Sequence, residues 1–354
     1  MTTHWHFLFR FFTAFYFVIR ASAVPMVCGD IRPYGLVDWG IFYKLPRTAL
    51  AEVIMANTNP TWEASPIDLS EDVDTNPLRN TLKPILSAKD SKNIIAYSNH
   101  APGASAEQEK ESPSKGMLAW EDSDGVWVIH TLSKWPNMNA TDFVPADFPA
   151  SEKAGLILCI IVPQEAMSSL GETLTYQEPV VYFWKDANTS PLLSSDKHFY
   201  RLIKGQKLAY SPFTHQQHFL STFGKFPIRL YSKSKKGHLD IYSRYVTMVT
   251  RAGLKVWSSL GKYVKLPSSC TSEWKTQNLL GPSVKVNKIA VSRDDDTARW
   301  AITTGNAFPL FCFSNTDRTR SHTSVASGLV CIENAELRQL FQSVAAIAKL
   351  ETCQ

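Results

Sequence analysis

The chain has 354 residues, of which 44% are hydrophobic and 12% aromatic. This composition excludes a disordered protein and is sufficient for a large core in one large domain or two fused ones. The formal charge is only +5, so a strongly charged surface has to come from an uneven distribution along the chain.

The N-terminus has the features of a secretory signal peptide. Residues 11–19 form a short apolar run, and Ala21-Ser22-Ala23 is the small-x-small pattern that signal peptidase prefers. The run is too short to cross a bilayer, and no later stretch is long and apolar enough for a transmembrane helix. We therefore predict a signal peptide over 1–23, a mature domain over 24–354 and a secreted protein, with lysosomal delivery as the alternative.

Six cysteines in the mature chain indicate disulfides. Their even number behind a signal peptide predicts three bonds, for which the sequence permits 15 pairings. The set is Cys28, Cys159, Cys270, Cys312, Cys331 and Cys353. No pair has CxxC spacing, so a zinc site is not expected. The sequons that begin at Asn139 and Asn188 predict surface N-glycans in the same compartment.

Strands and helices alternate along the mature chain. Apolar, β-branched and aromatic runs predict strands over 36–46, 93–100, 155–163, 178–184 and 254–261. A hairpin is predicted from 115–121 and 126–131, which flank the turn Asp122-Ser123-Asp124-Gly125.

Loops and helices complete this pattern. Residues 56–80 are predicted to be loop, and the polar insert 101–114 an exposed, mobile one. Helices are predicted over 238–252, ending at Gly253, and over 334–351 with Asn334 as N-cap. The mixture favours an α/β or mixed α+β fold.

Positive charge is concentrated in residues 225–265, which contain ten Lys or Arg residues and one acid, Asp240. The densest part is 233–238. The two interpretations are a solvated basic surface and a site for a polyanion. The candidate polyanion-binding residues are Lys225, Arg229, Lys233, Lys235, Lys236, His238 and Arg244.

Two further polar groups are weaker candidates for a metal. His215 and His218 have the i, i+3 spacing of ligands on a helix, but no acidic third ligand accompanies them. We interpret them as surface or partly buried histidines. The run Asp294-Asp295-Asp296 is more typical of an exposed loop than of a cation site. We predict neither a metal nor a cofactor.

Several long, collinear stretches resemble the deoxyribonuclease II family. They are CGD at 28–30, VDWGIFYKLP at 37–46, SKGMLAWEDSDGVWVIHTLSKWP at 114–136, LTYQEPVVY at 174–182, GLKVWSSLG at 253–261 and LPSSC at 266–270. The resemblance implies a phospholipase-D-like fold, a pseudo-dimer of two similar halves with a boundary near 165–190. It also implies the disulfides Cys28–Cys159, Cys270–Cys353 and Cys312–Cys331.

The resemblance further implies that each half donates a His-x-Lys motif to one central site. One imidazole attacks phosphorus, the other serves as acid and then base, and the two lysines hold the phosphate charge. The matching stretches here are Pro113-Ser114-Lys115-Gly116 and Thr297-Ala298-Arg299-Trp300. Both cations are retained, as Lys115 and Arg299, and both histidines are lost. Deleting a nucleophile costs about 10⁶ in turnover in a well-studied protease, so we predict a catalytically inactive member.

The hairpin keeps one imidazole, His130, on the face that carries Lys115 and Met117. We interpret it as a structural or phosphate-contacting remnant. The leading hypothesis is a glycoprotein that binds DNA or a sulfated glycosaminoglycan such as heparin. One alternative is an active acid-type endodeoxyribonuclease that uses His130 and a nonstandard partner. Another is a structural or host-interacting protein with a vestigial cleft. The implied fold also permits a homodimer.

Overall fold

The computed structural model describes residues 26–33, 35–108, 110–121, 123–140, 148, 151–188, 190–259, 264–271, 273–305 and 307–353. The predicted signal peptide lies outside the described residues, and so do Thr141 and Thr189 of the two sequons.

Strands make up most of the regular structure in the described ranges. In chain order they are β1 Cys28–Gly29, β2 Leu36–Val37, β3 Trp39–Lys44, β4 Leu50–Met55, β5 Ile67–Asp68, β6 Asn93–Tyr97, β7 Gly116–Trp120, β8 Gly125–His130, β9 Gly155–Val162, β10 Val181–Lys185, β11 Thr214–Leu220, β12 Pro227–Lys233, β13 Leu254–Trp257, β14 Thr276–Leu280, β15 Ser283–Val286, β16 Ile289–Ser292, β17 Arg299–Thr303, β18 Leu310–Ser314, β19 Ser327–Glu333 and β20 Lys349–Leu350.

Two large sheets organise these strands. The first has the order β10-β6-β7-β8-β9-β3-β4-β5, and the second has the order β11-β12-β19-β18-β17-β13-β14-β20. Among the described strands, neighbours run antiparallel except for the parallel pair β13–β14. The predicted hairpin is confirmed as β7–β8, with Met117 opposite Val128.

Helices are short and cover the sheets. They are α1 Pro77–Ser87, α2 Met167–Gln177, α3 Lys197–Ile203, α4 Thr247–Thr250 and α5 Ala335–Val344. A π-helical turn, Tyr242–Val246, leads directly into α4. Asn334 caps α5 as predicted, because its side chain accepts the N–H of Leu337 at 2.7 Å.

The largest hydrophobic cluster lies between the sheets. It joins Trp127 of the first sheet to Trp300 of the second and includes Leu170 of α2 and Phe341 of α5. A second cluster lies on the other face of the first sheet beneath α1, and a third packs the far side of the second sheet beneath the π-helical turn. Each sheet is therefore buried on both faces, which explains the continuous apolar runs of its central strands.

Some predicted bounds are wrong. The helix predicted over 334–351 ends as α5 at Val344, and Lys349–Leu350 form β20. Residues 77–80, predicted as loop, begin α1, because Asn76 accepts the N–H groups of Leu78 and Arg79 and Pro77 fits the first helical turn. His215 is half-buried and His218 exposed, as interpreted, and both lie not on a helix but on β11, where side chains alternate between faces. They therefore cannot share a face as a metal pair at i, i+3.

The three disulfides implied by the resemblance are confirmed as Cys28–Cys159, Cys270–Cys353 and Cys312–Cys331. The first ties β1 to β9, and the third joins the neighbouring strands β18 and β19. No helix within the described ranges is both long enough and apolar enough to span a membrane. A division into two pseudo-symmetric halves near 165–190 stays a prediction.

Candidate functional site

The two degenerate motifs meet where β8 ends and β17 begins. The backbone N–H of His130 donates to the carbonyl of Lys115 at 3.2 Å, so the two residues lie directly opposite each other. The next residue, Thr131, places its Oγ1 at 3.3 Å from Oγ1 of Thr297. Arg299 opens β17 two residues later. The fold therefore brings both retained cations to one site between the sheets, close enough that the charge of Arg299 acts on Lys115.

Thr297, at the position of the second histidine, is a structural residue. Its Oγ1 donates to the carbonyl of Ala154 at 2.8 Å, and its backbone N–H donates to the same oxygen at 2.8 Å. A Cβ added at Gly155 would lie 3.0 Å from the Thr297 hydroxyl, so the contact between the segments is close. A hydroxyl committed in this way, with a pKa far above that of imidazole, cannot act as the general acid.

Pro113, at the position of the first histidine, is half-buried and has no polar side-chain atom. The neighbouring Ser114 is fully buried, and its hydroxyl donates to Oε1 of Gln177 at 2.9 Å. Gln177 in turn donates through Nε2 to Ser232 Oγ at 3.2 Å. The motif strand is thus held between α2 and β12. Pro113, at the nucleophile's position, has no side-chain group that could attack phosphorus.

Lys115 is a buried cation with an exposed partner. Its Nζ lies 3.2 Å from Oε1 of Glu107, and the side chains are 7% and 44% exposed, respectively. Burial lowers the pKa of Lys115 below the ordinary lysine value. Burial alone would raise the pKa of Glu107, but the charge and hydrogen bond of Lys115, the charge of Arg299 and a hydrogen bond with Asn99 together outweigh burial and hold that pKa below its usual range. Glu107 belongs to the polar insert, of which residues 105–108 are exposed as predicted, and its carboxylate reaches the site.

Arg299 is held by the carboxylate of Asp317, in the loop between β18 and β19. Its Nε and Nη2 donate to the two oxygens of Asp317 at 2.6 and 2.9 Å, and its Nη1 donates to the carbonyl of Thr297 at 2.7 Å. Burial alone would lower the pKa of Arg299, but Asp317 raises it above the ordinary value. This bidentate geometry fixes the guanidinium plane.

His130 is fully buried and packs edge-to-face against Trp135, with ring centroids 4.8 Å apart. Burial, and secondarily the charge of Lys115, lowers the pKa of His130 well below its ordinary value. The imidazole is therefore neutral and shielded from solvent. The interpretation of His130 as a structural or phosphate-contacting remnant stays a prediction.

Two histidines that the sequence did not single out lie within electrostatic reach of the same site. His100 follows β6, and its Nε2 is buried without a hydrogen-bond partner among the described residues. Burial lowers the pKa of His100; Lys115 acts in the same direction and Glu107 opposes it. His322 places Nδ1 2.7 Å from Thr319 Oγ1. Burial lowers its pKa as well. No motif marks either residue, and only their positions in loops at strand ends could have suggested them.

The seven predicted polyanion-binding residues do not form one patch. Lys233 is buried, and its Nζ donates to the carbonyls of Thr323, at 3.0 Å, and of Val325. Arg229 is paired with Glu333 at 2.7 Å. The other five are exposed, but they lie at opposite ends of β12. Lys225 precedes the strand, whereas Lys235, Lys236, His238 and Arg244 follow it.

The exposed group after β12 begins next to the turn that carries His322. The short turn Lys235–Gly237 packs against the turn Ser321–Ser324, which carries His322. His238 Nδ1 lies 3.2 Å from Ser324 Oγ. Lys225 lies at the other end of the strand, roughly 20 Å away at the usual rise per residue.

The acidic run 294–296 is not a uniformly exposed loop. Asp296 is buried and accepts from Tyr43 Oη at 2.6 Å and from Trp257 Nε1 at 2.9 Å. Asp295 pairs with Arg47 at 2.7 Å. Within the described residues, no group of three or more His, Cys, Asp or Glu side chains is arranged to hold a metal ion.

Comparisons with known proteins agree with this architecture. Residues 35–353 match the sequence model of the family described as Deoxyribonuclease II. Plancitoxin-1 of Acanthaster planci is 26% identical over 90% of each chain. Cell-death-related nuclease 7 of Caenorhabditis elegans is 24% identical over 96% of this chain and 93% of the relative. Deoxyribonuclease-2-alpha of Mus musculus is 22% identical over 87% and 89%.

The predicted fold class is confirmed, because two large sheets with a few helices form a mixed α+β fold and the matched family is phospholipase-D-like. The match spans nearly the whole described chain, including the segments around Lys115 and Arg299. The chain is therefore a divergent member of the deoxyribonuclease II family.

Proposed function

We propose that this chain is a secreted or lysosomal glycoprotein that binds a polyanion, DNA in the first instance, without hydrolysing it. The observation that carries the proposal is that, at one site, both catalytic histidines are lost while both cations are retained. Pro113 and Thr297 stand where the family's histidines act, and neither can transfer a phosphoryl group. Lys115 and Arg299 still lie together where a phosphate's charge would be held.

The surface next to the pocket supports binding of an extended anion. Four basic residues there are exposed: Lys235, Lys236, His238 and Arg244. The turn Lys235–Gly237 packs beside the turn that carries His322. A phosphate backbone that enters the site would pass these residues. Each phosphate that they neutralise would release counterions condensed on the polyanion. The related chains named as nucleases and deoxyribonucleases make DNA the first polymer to test.

A salt titration with matched variants tests the proposal. DNA and heparin affinities are measured by fluorescence anisotropy between low and physiological salt, and both should fall steeply as salt rises. Lys235→Gln with Lys236→Gln should reduce the salt slope by about 2, at roughly 1 per lost phosphate contact. Lys225→Gln is the control, because that lysine is equally exposed but lies at the far end of β12. A salt-insensitive interaction, or none, would refute polyanion binding.

A hydrolysis assay tests the catalytic half of the proposal. Plasmid DNA incubated without metal at pH 5 and pH 7 should stay intact. The competing hypothesis is an active endonuclease that uses His130, and it requires that ring to reach a phosphate although it is fully buried. Cleavage that His130→Ala abolishes would establish the competing hypothesis and reject ours.

A further inference from the structure

The buried cation of the site, Lys115, is already paired with a carboxylate of the protein itself, Glu107. A simple anion-binding site does not need such a pair. Lys115 is nearly inaccessible, and its ion-pair partner Glu107 comes from the insert 101–114 rather than from either sheet. The charge of Arg299 also acts on Glu107. The Glu107 carboxylate is therefore in contact with one of the two cations that would hold a phosphate and within electrostatic reach of the other.

The two cations differ in how firmly their partners are held. Asp317 binds Arg299 through two oxygens and is itself only 10% exposed. Glu107 binds Lys115 through one oxygen and is 44% exposed. Because Glu107 makes one contact from an exposed side chain, whereas Asp317 makes two from a buried one, Glu107 is the partner that an incoming anion can displace.

Two further groups lie within electrostatic reach of Glu107. The Glu107 carboxylate acts electrostatically on both His100 and His322, which come from different sheets' loops. Nε2 of His100 is buried, and no described residue hydrogen-bonds to it. A buried imidazole nitrogen left without a partner is costly unless a ligand supplies one.

We propose that Glu107 is a self-ligand that closes a phosphate-binding site formed by Lys115, His100 and His322, and that a phosphate enters when the insert lifts Glu107 away. This inference rests on the proposed function, because it names the group through which a polyanion would reach the pocket. The ligand's chemistry is a phosphate group, whether in a DNA backbone or as free inorganic phosphate.

The decisive variant is Glu107→Gln, which keeps the side chain's size and removes its charge. Removing the closed state raises the apparent affinity by the reciprocal of the fraction of wild-type molecules that are open. With about one molecule in ten open, we expect about tenfold tighter binding of inorganic phosphate and of a short single-stranded DNA. Glu111→Gln is the matched control, because Glu111 lies in the same insert and pairs with Lys207 at 3.0 Å, outside the site. It should change neither affinity. His100→Gln in the Glu107→Gln background should reverse most of the gain.

Calorimetry with each probe and hydrogen exchange of the insert separate the outcomes. Phosphate binding to the wild type should speed amide exchange over 101–108, as Glu107 leaves Lys115. Equal phosphate affinity in the wild type and Glu107→Gln would overturn the inference, even if DNA binding is salt-sensitive and the proposed function stands. Tighter phosphate binding by Glu107→Gln with no DNA binding by either protein would support the self-ligand and reject the proposed function.

Discussion

Replacing Tyr43 by Phe removes one hydroxyl from the buried junction between the two sheets. Tyr43 is on β3 of the first sheet, and its Oη donates to Asp296 Oδ2 at 2.6 Å. The carboxylate also accepts from Trp257 of β13 and from the backbone N–H of Ala298 at 2.8 Å. Tyr43 is fully buried, so water cannot replace the lost donor.

The expected cost follows from this geometry. The substitution leaves the ring in place and creates almost no cavity, so the loss is that of one hydrogen bond to a buried carboxyl group, about 1.5 to 3 kcal/mol of unfolding free energy. Urea denaturation followed by tryptophan fluorescence measures it as a lower midpoint with an unchanged m value.

The cost should also depend on pH. Burial raises the pKa of Asp296, and the Tyr43 hydroxyl counteracts this. A carboxyl whose folded pKa is raised stabilises the fold when protonated, below its unfolded pKa of about 4, and this contribution is lost as pH rises through the folded pKa. Tyr43→Phe raises the folded pKa further, so its deficit should be larger at pH 8 than at pH 4.

Tyr97→Phe is the control for this prediction. Tyr97 is equally buried, but its Oη accepts from Trp127 Nε1 at 2.8 Å and no carboxylate is involved. Its cost should not change between pH 4 and pH 8. Two results would refute this prediction. One is a loss of less than about 0.5 kcal/mol of unfolding free energy in Tyr43→Phe, the range of ordinary surface changes; the other is a loss that becomes larger toward acid pH.

Three further outcomes are expected. Replacing Cys312 and Cys331 by Ala opens a loop with a sequence separation of 19 and should cost about 3 kcal/mol in urea denaturation; a cost near zero would contradict a stabilising role. Burial lowers the pKa of Lys233 to about 8, so the unfolded chain binds more protons than the folded one above that pH. Stability should therefore gain with pH from about 8 to about 10, and Lys233→Met should lack this gain; identical pH profiles would exclude it. Arg299→Lys cannot reproduce the bidentate contact with Asp317 and should cost about 2 kcal/mol, whereas a neutral effect would show that one contact suffices.

The sequence was sufficient to predict an element where its local residue pattern matches the burial of that element in the fold. The hairpin β7–β8 could be predicted because its alternating strands and its turn lie within one short stretch. Helix α1 was missed because its polar face continues the polar segment before it and Pro84 lies inside it. Asn76 followed by Pro77 was the signal that could have located its start.

The site was only partly predictable. The loss of both histidines could be read from two aligned motifs, but the contact between Glu107 and Lys115 depends on how the insert folds back. Counting charges in 225–265 also could not show that Lys233 is buried, because strand β12 carries it beneath the turn that contains Thr323. Distant contacts of this kind depend on topology, which local composition does not encode.

The shared core between the sheets has a consequence for synthesis of the protein. The first sheet is complete once β10 has emerged at Lys185, but the strands and α5 that cover its inner face follow as far as Leu350. At about 5 to 20 residues per second, the roughly 165 intervening residues take about 10 to 30 s to make. Throughout that interval the nascent chain exposes an apolar surface that includes Trp127 and Leu158. Productive biosynthesis should therefore depend on chaperones that shield this surface until translation ends.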